Sequence, residues 1–413
     1  MKIAIAGTGI SGLVAAHLLH RDHDIKVFEA DPRIGGHTHT FDVEVEGERH
    51  SVDTGFIVFN TKTYPNFVKL LDGIGVESDP TDMSFGLACE RSGLEWGSRG
   101  LGSLFAQRRN ALNPAFWRML RDVVRFNRES RALLDAKTEK VTLGDYLCGA
   151  GYSQEFVHQY LLPMGAAIWS ANPSTFLDFP ATSFVRFFEN HGLLETPPRL
   201  PWRVVRGGSS RYLDPLTAPF RDRIHTSEPL RGVRRRGHFV EVVTSSGVER
   251  FDHVILAMHS DQTLRVLLDA SGLERSILGS IRYQPNGVVL HRDTSLMPTS
   301  PRAWSSWNYR IPDEDGSAAI VTYDMNRLQN IQSRHRFLVT LNASDRIDPS
   351  LIHAEFRYDH PVFDEAAIQA QRRHADISGR NRVHFCGAYW GYGFHEDGVA
   401  SALQVCRSFG RGL

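Results

Sequence analysis

Cysteine is scarce in this chain. The four that occur in 413 residues, Cys89, Cys148, Cys386 and Cys406, form no C-x-x-C pair and show no zinc-ligand spacing. That excludes a disulfide scaffold, predicts no structural metal, and makes a reducing cytoplasm the expected compartment. No apolar run approaches the roughly 20 residues a membrane-spanning helix needs, so the chain is expected to be soluble, or peripheral at the inner face of a membrane. The first apolar strand opens at Lys2, leaving no room for a signal peptide. An excess of one charge is also lacking. The 47 Lys and Arg balance 47 Asp and Glu, which argues against nucleic acid as a partner. Internal repeats and low-complexity tracts are absent. What is plentiful is apolar material: at 41% of residues it is enough for a large core and two domains.

The most informative motif lies at the start. Lys2-Ile-Ala-Ile-Ala6 is a short apolar strand that runs into Gly7-Thr-Gly-Ile-Ser-Gly12. Gly7 permits the tight strand-to-helix turn, Gly9 lets backbone approach a pyrophosphate, and Gly12 lets the next helix pack on its strand. Ser11 lies in the same loop. The helix start then offers unpaired N–H groups and a positive dipole end to phosphate. A second strand, Ile25-Lys-Val-Phe28, ends at Glu29, where a carboxylate can accept from ribose hydroxyls, with Ala30 beside it.

The glycine doublet that follows, in Glu29-Ala-Asp-Pro-Arg-Ile-Gly-Gly-His-Thr38, resembles the signature of the flavoprotein superfamily that includes amine oxidases and carotenoid desaturases. The resemblance implies an α/β (α+β) fold: a Rossmann-like FAD-binding domain of the glutathione-reductase and amine-oxidase type, with an interleaved substrate domain of mixed β-sheet and helices. It implies FAD as cofactor. Carried onto this sequence, the FAD contacts are Gly7, Gly9, Ser11, Gly12, Glu29, Ala30, Gly35, Gly36, His37, Thr38, Gly55, Phe56, Ile57 and Val233, and near the C-terminus Gly387, Tyr389, Trp390, Asp397, Gly398 and Val399. The cofactor domain is expected to take 1–80, 200–280 and 366–413, with strands at 2–6, 24–28, 239–243, 250–257 and 382–386 and helices at 11–20, 209–220 and 398–409. The substrate domain takes 81–199 and 281–365, including strand-like Asn286–His291, Ala319–Tyr323 and Phe337–Leu341. Gly207-Gly-Ser-Ser210 resembles the superfamily's glycine turn ahead of a cofactor-domain helix.

A second G-x-G-x-x-G is missing: Gly100-Leu-Gly-Ser-Leu-Phe105 has neither a preceding strand nor the third glycine. Without a second nucleotide site, electrons are expected from the organic substrate, which favours an oxidase, desaturase or isomerase over a reductase. The run Tyr389-Trp-Gly-Tyr-Gly-Phe-His-Glu-Asp-Gly398 sits where the superfamily places residues beside the flavin. His395 reads as a proton acceptor or substrate-orienting group, or as a structural histidine bonded to backbone. Tyr392 is the second catalytic candidate, with packing against the flavin as its alternative. At the strand position where amine oxidases carry a water-holding lysine, this chain has Asn286, which orients water without supplying a positive charge.

Longer strings carry a closer resemblance: Gly35-Gly-His-Thr38, Val52-Asp-Thr-Gly-Phe-Ile-Val-Phe-Asn60, Tyr64-Pro-Asn66, Ser78–Phe85, Tyr160–Trp169 and Gly391–Gly398. These resemble a bacterial family of FAD-binding oxidoreductases encoded beside cyclopropane-fatty-acid-synthase-like methyltransferases. A similar domain precedes the methyltransferase in plant cyclopropane fatty acid synthases. The resemblance implies a fatty acyl lipid substrate, and some relatives are linked to furan fatty acid formation as acyl-chain desaturases. It also implies a methyltransferase partner.

Other segments are compatible with a lipid. From Phe116 to Arg131, Arg118, Arg121, Arg125 and Arg128 recur at helical spacing, with Arg108 and Arg109 upstream. This basic amphipathic stretch, 108–131, reads as a contact for anionic headgroups or as an ordinary surface helix. Substrate-pocket candidates are Phe59, Asn60, Trp169, His191, Trp304, Trp307 and Tyr323, mostly aromatic, as an uncharged acyl chain requires. The expected reaction is desaturation, with hydride passing to the flavin and the neighbouring proton to His395. An isomerase, an amine oxidase, and a lipid-presenting partner of a methyltransferase are the alternatives.

Overall fold

The computed structural model describes residues 1–135, 141–169, 173–195, 200–313 and 320–413. Ile3, Ala4, Ile5 and Ala6 are all buried, so both faces of this strand are covered, as befits the interior of a parallel sheet. Lys2–Ala6 pairs in parallel with Asp24–Phe28 on one side and His253–Leu256 on the other, with Ile5 opposite Val27 and Ile255. Ile224–His225 and Val383–Phe385 complete this five-stranded sheet at its edges. Strands from both ends of the chain therefore share one sheet.

The first helix, Ile10–Leu19, is apolar almost throughout because it is packed between this sheet and the last helix, His395–Arg407. Gly12 is obligatory at the crossing: a Cβ there would lie 1.9 Å from the Gly7 carbonyl oxygen. Gly398 has the same function on the other helix, where a Cβ would reach 2.7 Å from Ile10, and the Ser11 hydroxyl donates to the Gly398 carbonyl at 2.9 Å.

A mixed sheet of seven strands forms the other half. Its order is Ile352–Val362, Arg282–His291, Leu338–Leu341, Ile320–Asp324, Trp307–Ile311, Phe85–Cys89, Glu95–Gly97, antiparallel except where Phe85–Cys89 runs beside Trp307–Ile311. One face supports a large apolar core shared with the helices Pro114–Glu129, Leu162–Trp169 and Ala181–Asn190. Every strand of the five-stranded sheet falls in 1–80, 200–280 or 366–413, and every strand of the seven-stranded sheet in 81–199 or 281–365. Among the described residues no helix is long and apolar enough to cross a membrane.

Several elements differ from the sequence reading. The strand expected over 239–243 in the cofactor domain is Val240–Thr244, which pairs not with the five-stranded sheet but in a separate antiparallel sheet with Gly232–Arg235 and Gly247–Phe251. The run 250–257 is two strands divided at Asp252, whose carboxylate accepts from the Lys2 backbone N–H at 2.7 Å. The helix expected over 209–220 breaks into short turns, since Pro215 and Pro219 lack donors and Phe220 leaves helical geometry. The last helix starts at His395, three residues before Gly398. The strand expected to begin at Ala319 is described from Ile320; Ala319 lies outside the described residues.

Candidate active site

A single cavity of about 1770 Å³ runs from the first glycine loop to the helices over the seven-stranded sheet. Small-molecule sites commonly hold ~300–1,000 Å³, so this one has room for a dinucleotide and a second molecule.

Backbone builds its nucleotide end. Gly9 caps the first helix without a side-chain bond, and a Cβ there would meet nothing within 4 Å: the space over it is cavity. Across that space lies the doublet, with Gly36 at a φ of 58° and its Cβ position 3.1 Å from the Gly9 Cα. Two glycine turns thus face each other around an uncapped helix start, a cradle suited to pyrophosphate. Glu29 is held at the end of its strand by the Thr8 N–H and hydroxyl on one oxygen and by the Asp31 N–H, at 3.0 Å, on the other. Next to the doublet, His37 is half-buried, and its ring Nε2 is buried with no protein partner. A cradle of open backbone and an orphaned ring nitrogen both fit FAD.

Histidines and hydroxyls make the middle. His395 is the first residue of the last helix, its ring stacked on Phe56 with centroids 3.5 Å apart. Its Nε2 lies 3.0 Å from the Thr38 hydroxyl and 3.2 Å from that of Tyr212. Burial pushes this imidazole down to about 3, and a helix N-terminus disfavours the cation further. His395 is therefore a neutral, hydrogen-bonded wall and a weak base. Tyr392 also lines the cavity, its ring 5.5 Å from Phe187 and its hydroxyl kept protonated by burial. His37 is surrounded by Tyr358, His360 and His259 at ring distances of 5.2, 5.5 and 6.1 Å. Asn286 is fully buried behind this group and does not line the cavity: its amide lies between Asn342 and His360.

The far end is apolar. Met119, Leu120, Val123, Met164, Ile168 and Phe187 line it with Trp169, His191, Trp307 and Tyr323. Trp169 packs on Phe187 at 4.4 Å, and His191 stacks on Phe187 at 3.9 Å. His191 Nδ1 is 2.9 Å from the Phe187 carbonyl, which requires an Nδ1–H and leaves Nε2 as an acceptor. Its imidazole is lowered by burial to about 4. Asp82, which pairs with Arg99 at 3.3 Å, and Glu195 are the carboxylates on this stretch.

Some expected residues lie elsewhere. Phe59 packs between Tyr64 and Phe67 in the core under the first helix, and Asn60 closes the turn at Lys62 and Thr63. Trp304 donates to the Pro298 carbonyl under Arg336, and Trp390 packs on His374. The Asp397 carboxylate caps the last helix by accepting from the Phe394 N–H at 2.9 Å, and burial raises it to about 7. Thr38, Val233, Gly398 and Val399 support the walls from behind, whereas Leu230 and Arg231 line the cavity ahead of Val233. In the basic helix Arg118 pairs with Glu155, Arg121 with Asp122, Arg125 and Arg128 with Glu129, and Arg131 with Glu189, so much of the stripe is neutralised internally.

Sequence reasoning missed His259, Tyr283, Phe187, Tyr358 and His360, all on the cavity wall. The alternation Phe356, Tyr358, His360 along one strand was the available signal for the last two.

Residues 10–291 match the family model of flavin containing amine oxidoreductases. A curated relative, the flavin-dependent L-tryptophan oxidase RebO of Lentzea aerocolonigenes, is 26% identical over 299 residues, 64% of this chain and 56% of that protein. The chain thus spans little more than half of that relative's length. Similar solved structures include putrescine oxidase bound to putrescine (TM-score 0.70, 14% identity, 99% of each chain) and cyclohexylamine oxidase of Brevibacterium oxydans (TM-score 0.69, 16% identity, 99% of each chain). A fatty acid isomerase of P. acnes that produces CLA shares the fold equally well (TM-score 0.69, 16% identity, 98% of each chain). The cradle, the uncapped helix start and the family match agree: this chain belongs to the flavin containing amine oxidoreductase family, with FAD as its cofactor.

Proposed function

We propose that this oxidoreductase acts on an unsaturated fatty acyl chain carried by a phospholipid, removing two hydrogens to give a diene. The observation that carries this reading is the far end of the cavity, whose wall of Met119, Leu120, Val123, Met164, Ile168 and Trp169 offers apolar contact but, among the described residues, no unpaired cation or deep carboxylate pair. An ammonium substrate wants a free carboxylate beside it, and an amino acid wants an arginine for its carboxylate; on the rim Asp82 and Arg99 are already engaged with each other. The rim fits a lipid: Leu101 lines the mouth while 76% exposed, and Leu112 and Trp117 follow at 87% and 50%. A peripheral membrane position and a methyltransferase that takes up the product belong to the same reading.

FAD is held by the Gly9–Gly36 cradle, Glu29 and His37, and when bound supplies the hydride acceptor. The protein must then orient the chain, exclude water and take one proton. The aromatic wall of Phe187 and Trp169 restricts the chain to the cavity axis, and positioning of this kind is worth several powers of ten in rate. His191 is better placed than His395 to take the proton: its Nδ1–H is fixed on the Phe187 carbonyl and its Nε2 is an acceptor, whereas His395 Nε2 is occupied by two hydroxyls.

The test is product analysis. Aerobic incubation of the holoenzyme with phospholipid vesicles bearing monounsaturated chains should give dienes in the extracted lipid, strongly reduced in His191→Phe and retained in His395→Gln. A shifted double bond with no loss of hydrogen would mean isomerisation instead, and unchanged lipid beside rapid turnover of an amine would overturn the acyl reading.

A further inference from the structure

The amide of Asn286 belongs to a hydrogen-bond chain whose direction is fixed at its start. The backbone N–H of Gly287 can only donate, and it points at Asn342 Oδ1 at 3.2 Å. That makes the other end of the Asn342 amide an NH₂, which donates to Asn286 Oδ1 at 2.8 Å. The Asn286 NH₂ must then be the group facing His360 Nδ1 at 2.9 Å. An NH₂ cannot accept, so Nδ1 carries the lone pair and the ring proton sits on Nε2. Burial, reinforced by the neighbouring His259, lowers this imidazole to about 4, so it is neutral near pH 7.

The strand register makes the chain possible. Asn286 stands opposite Tyr358 in the long antiparallel pair, with His360 two residues along on the same face, and Asn342 reaches over from the turn after Leu341. His360 lines the cavity next to His37, just beyond the glycine cradle. Asn286 is the partner on Nδ1, while the His37 ring lies 5.5 Å away and Asp359 lies beside Arg357 at 3.6 Å. Among the described residues no group here has the geometry to hold a metal ion.

We propose that Asn342 and Asn286 lock His360 as the Nε2–H tautomer, a neutral hydrogen-bond donor presented to bound FAD, and that this donor favours the reduced, more negative cofactor. Asn286 and Asn342 are positioning residues that act through His360. The inference rests on FAD occupying the cavity, not on the identity of the substrate, so a negative lipid assay leaves it standing.

Two readouts test it, neither of them turnover. In holoenzyme labelled with ¹⁵N-histidine, long-range proton–nitrogen correlation should show His360 with a bare Nδ1 and a protonated Nε2. Asn286→Asp, which replaces the donor with an acceptor, should move a proton onto Nδ1. Dye-coupled reductive titration should find the two-electron midpoint of His360→Met lower by about 30 mV, a tenfold shift in the redox equilibrium, while His360→Gln, which keeps an N–H donor, stays near wild type. Asn286→Ala should shift the midpoint in the same direction by less, and add nothing in the His360→Met background. A protonated Nδ1 in the wild-type holoenzyme, an unchanged midpoint in His360→Met, or additive shifts of the two substitutions would overturn the proposal. If His360→Met does not retain flavin, the tautomer spectrum of the wild-type protein and of Asn286→Asp decides the lock, and the midpoint of Asn286→Ala, unchanged from wild type, would overturn the effect on the cofactor.

Discussion

The two ends of the cavity are made of different material. At the nucleotide end the contacts are backbone: Gly9 and Gly36 face each other, and the start of the first helix is open. At the far end they are side chains drawn from separate helices, Met119 and Leu120 from one, Met164 and Ile168 from another, Phe187 from a third. A backbone site tolerates almost no change at its glycines, because any added atom meets either protein or ligand. A side-chain site keeps its shape only through packing and can be refitted residue by residue. One cavity therefore combines an end fixed by backbone with an end that side-chain changes can refit.

The sharpest way to break this contrast is within the first loop. Gly12→Ala places a Cβ 1.9 Å from the Gly7 carbonyl and should cost about 3 kcal/mol or more, losing flavin and native fold together, read as flavin absorbance per protein and as melting temperature. Gly9→Ala meets no protein atom within 4 Å, so its stability without flavin, read from the melting temperature, should stay within roughly 0.5 kcal/mol of wild type while flavin affinity falls about tenfold. If both variants lose the fold, the loop is not divided as described.

At the other end, Ile168→Trp should fill the channel yet leave the flavin spectrum unchanged, with diene formation reduced on the order of a hundredfold through lost positioning. Flavin loss in this variant would mean that the two ends are not independent.

Acid should act on the buried histidines, inside the cavity and outside it. His39, His191, His291, His360 and His384 are lowered to about 4 and His395 to about 3, so below the ordinary histidine range the unfolded chain binds protons that the folded chain refuses. Their contribution is complete above pH 6.5 and is lost as the pH falls towards 4. Asp53 and Asp397, both raised to about 7, act in the opposite sense, since the folded chain holds their protons and gains stability as the pH drops. Six groups outweigh two, so the urea midpoint should fall between pH 7 and pH 5. A rising midpoint would contradict the neutral state of these buried histidines. The smallest effect belongs to the exposed helix: Arg118→Ala breaks a surface pair with Glu155 and should change stability by less than about 1 kcal/mol in the same titration.

The contrast also explains what was legible in the sequence. Gly7, Gly9, Gly12, Glu29 and the Gly35-Gly36 doublet could be read because a backbone site demands glycine at fixed spacing along one stretch of chain. His360 and Phe187 could not, because they enter from a strand and a helix that only the fold brings to the same wall. Asn286 was legible as a position but not as an action: its amide serves His360 and Asn342 and leaves the cavity wall to Val288. Phe59 and Trp304 misled because a buried aromatic near a motif looks the same whether it faces a cavity or a core.

The measurement that tests the account most directly is anaerobic mixing of the holoenzyme with monounsaturated phospholipid vesicles, and separately with putrescine and with L-tryptophan, while the visible flavin band is followed. The account predicts bleaching by the lipid and none by the two amines. Bleaching by either amine with an unchanged band in lipid would contradict it.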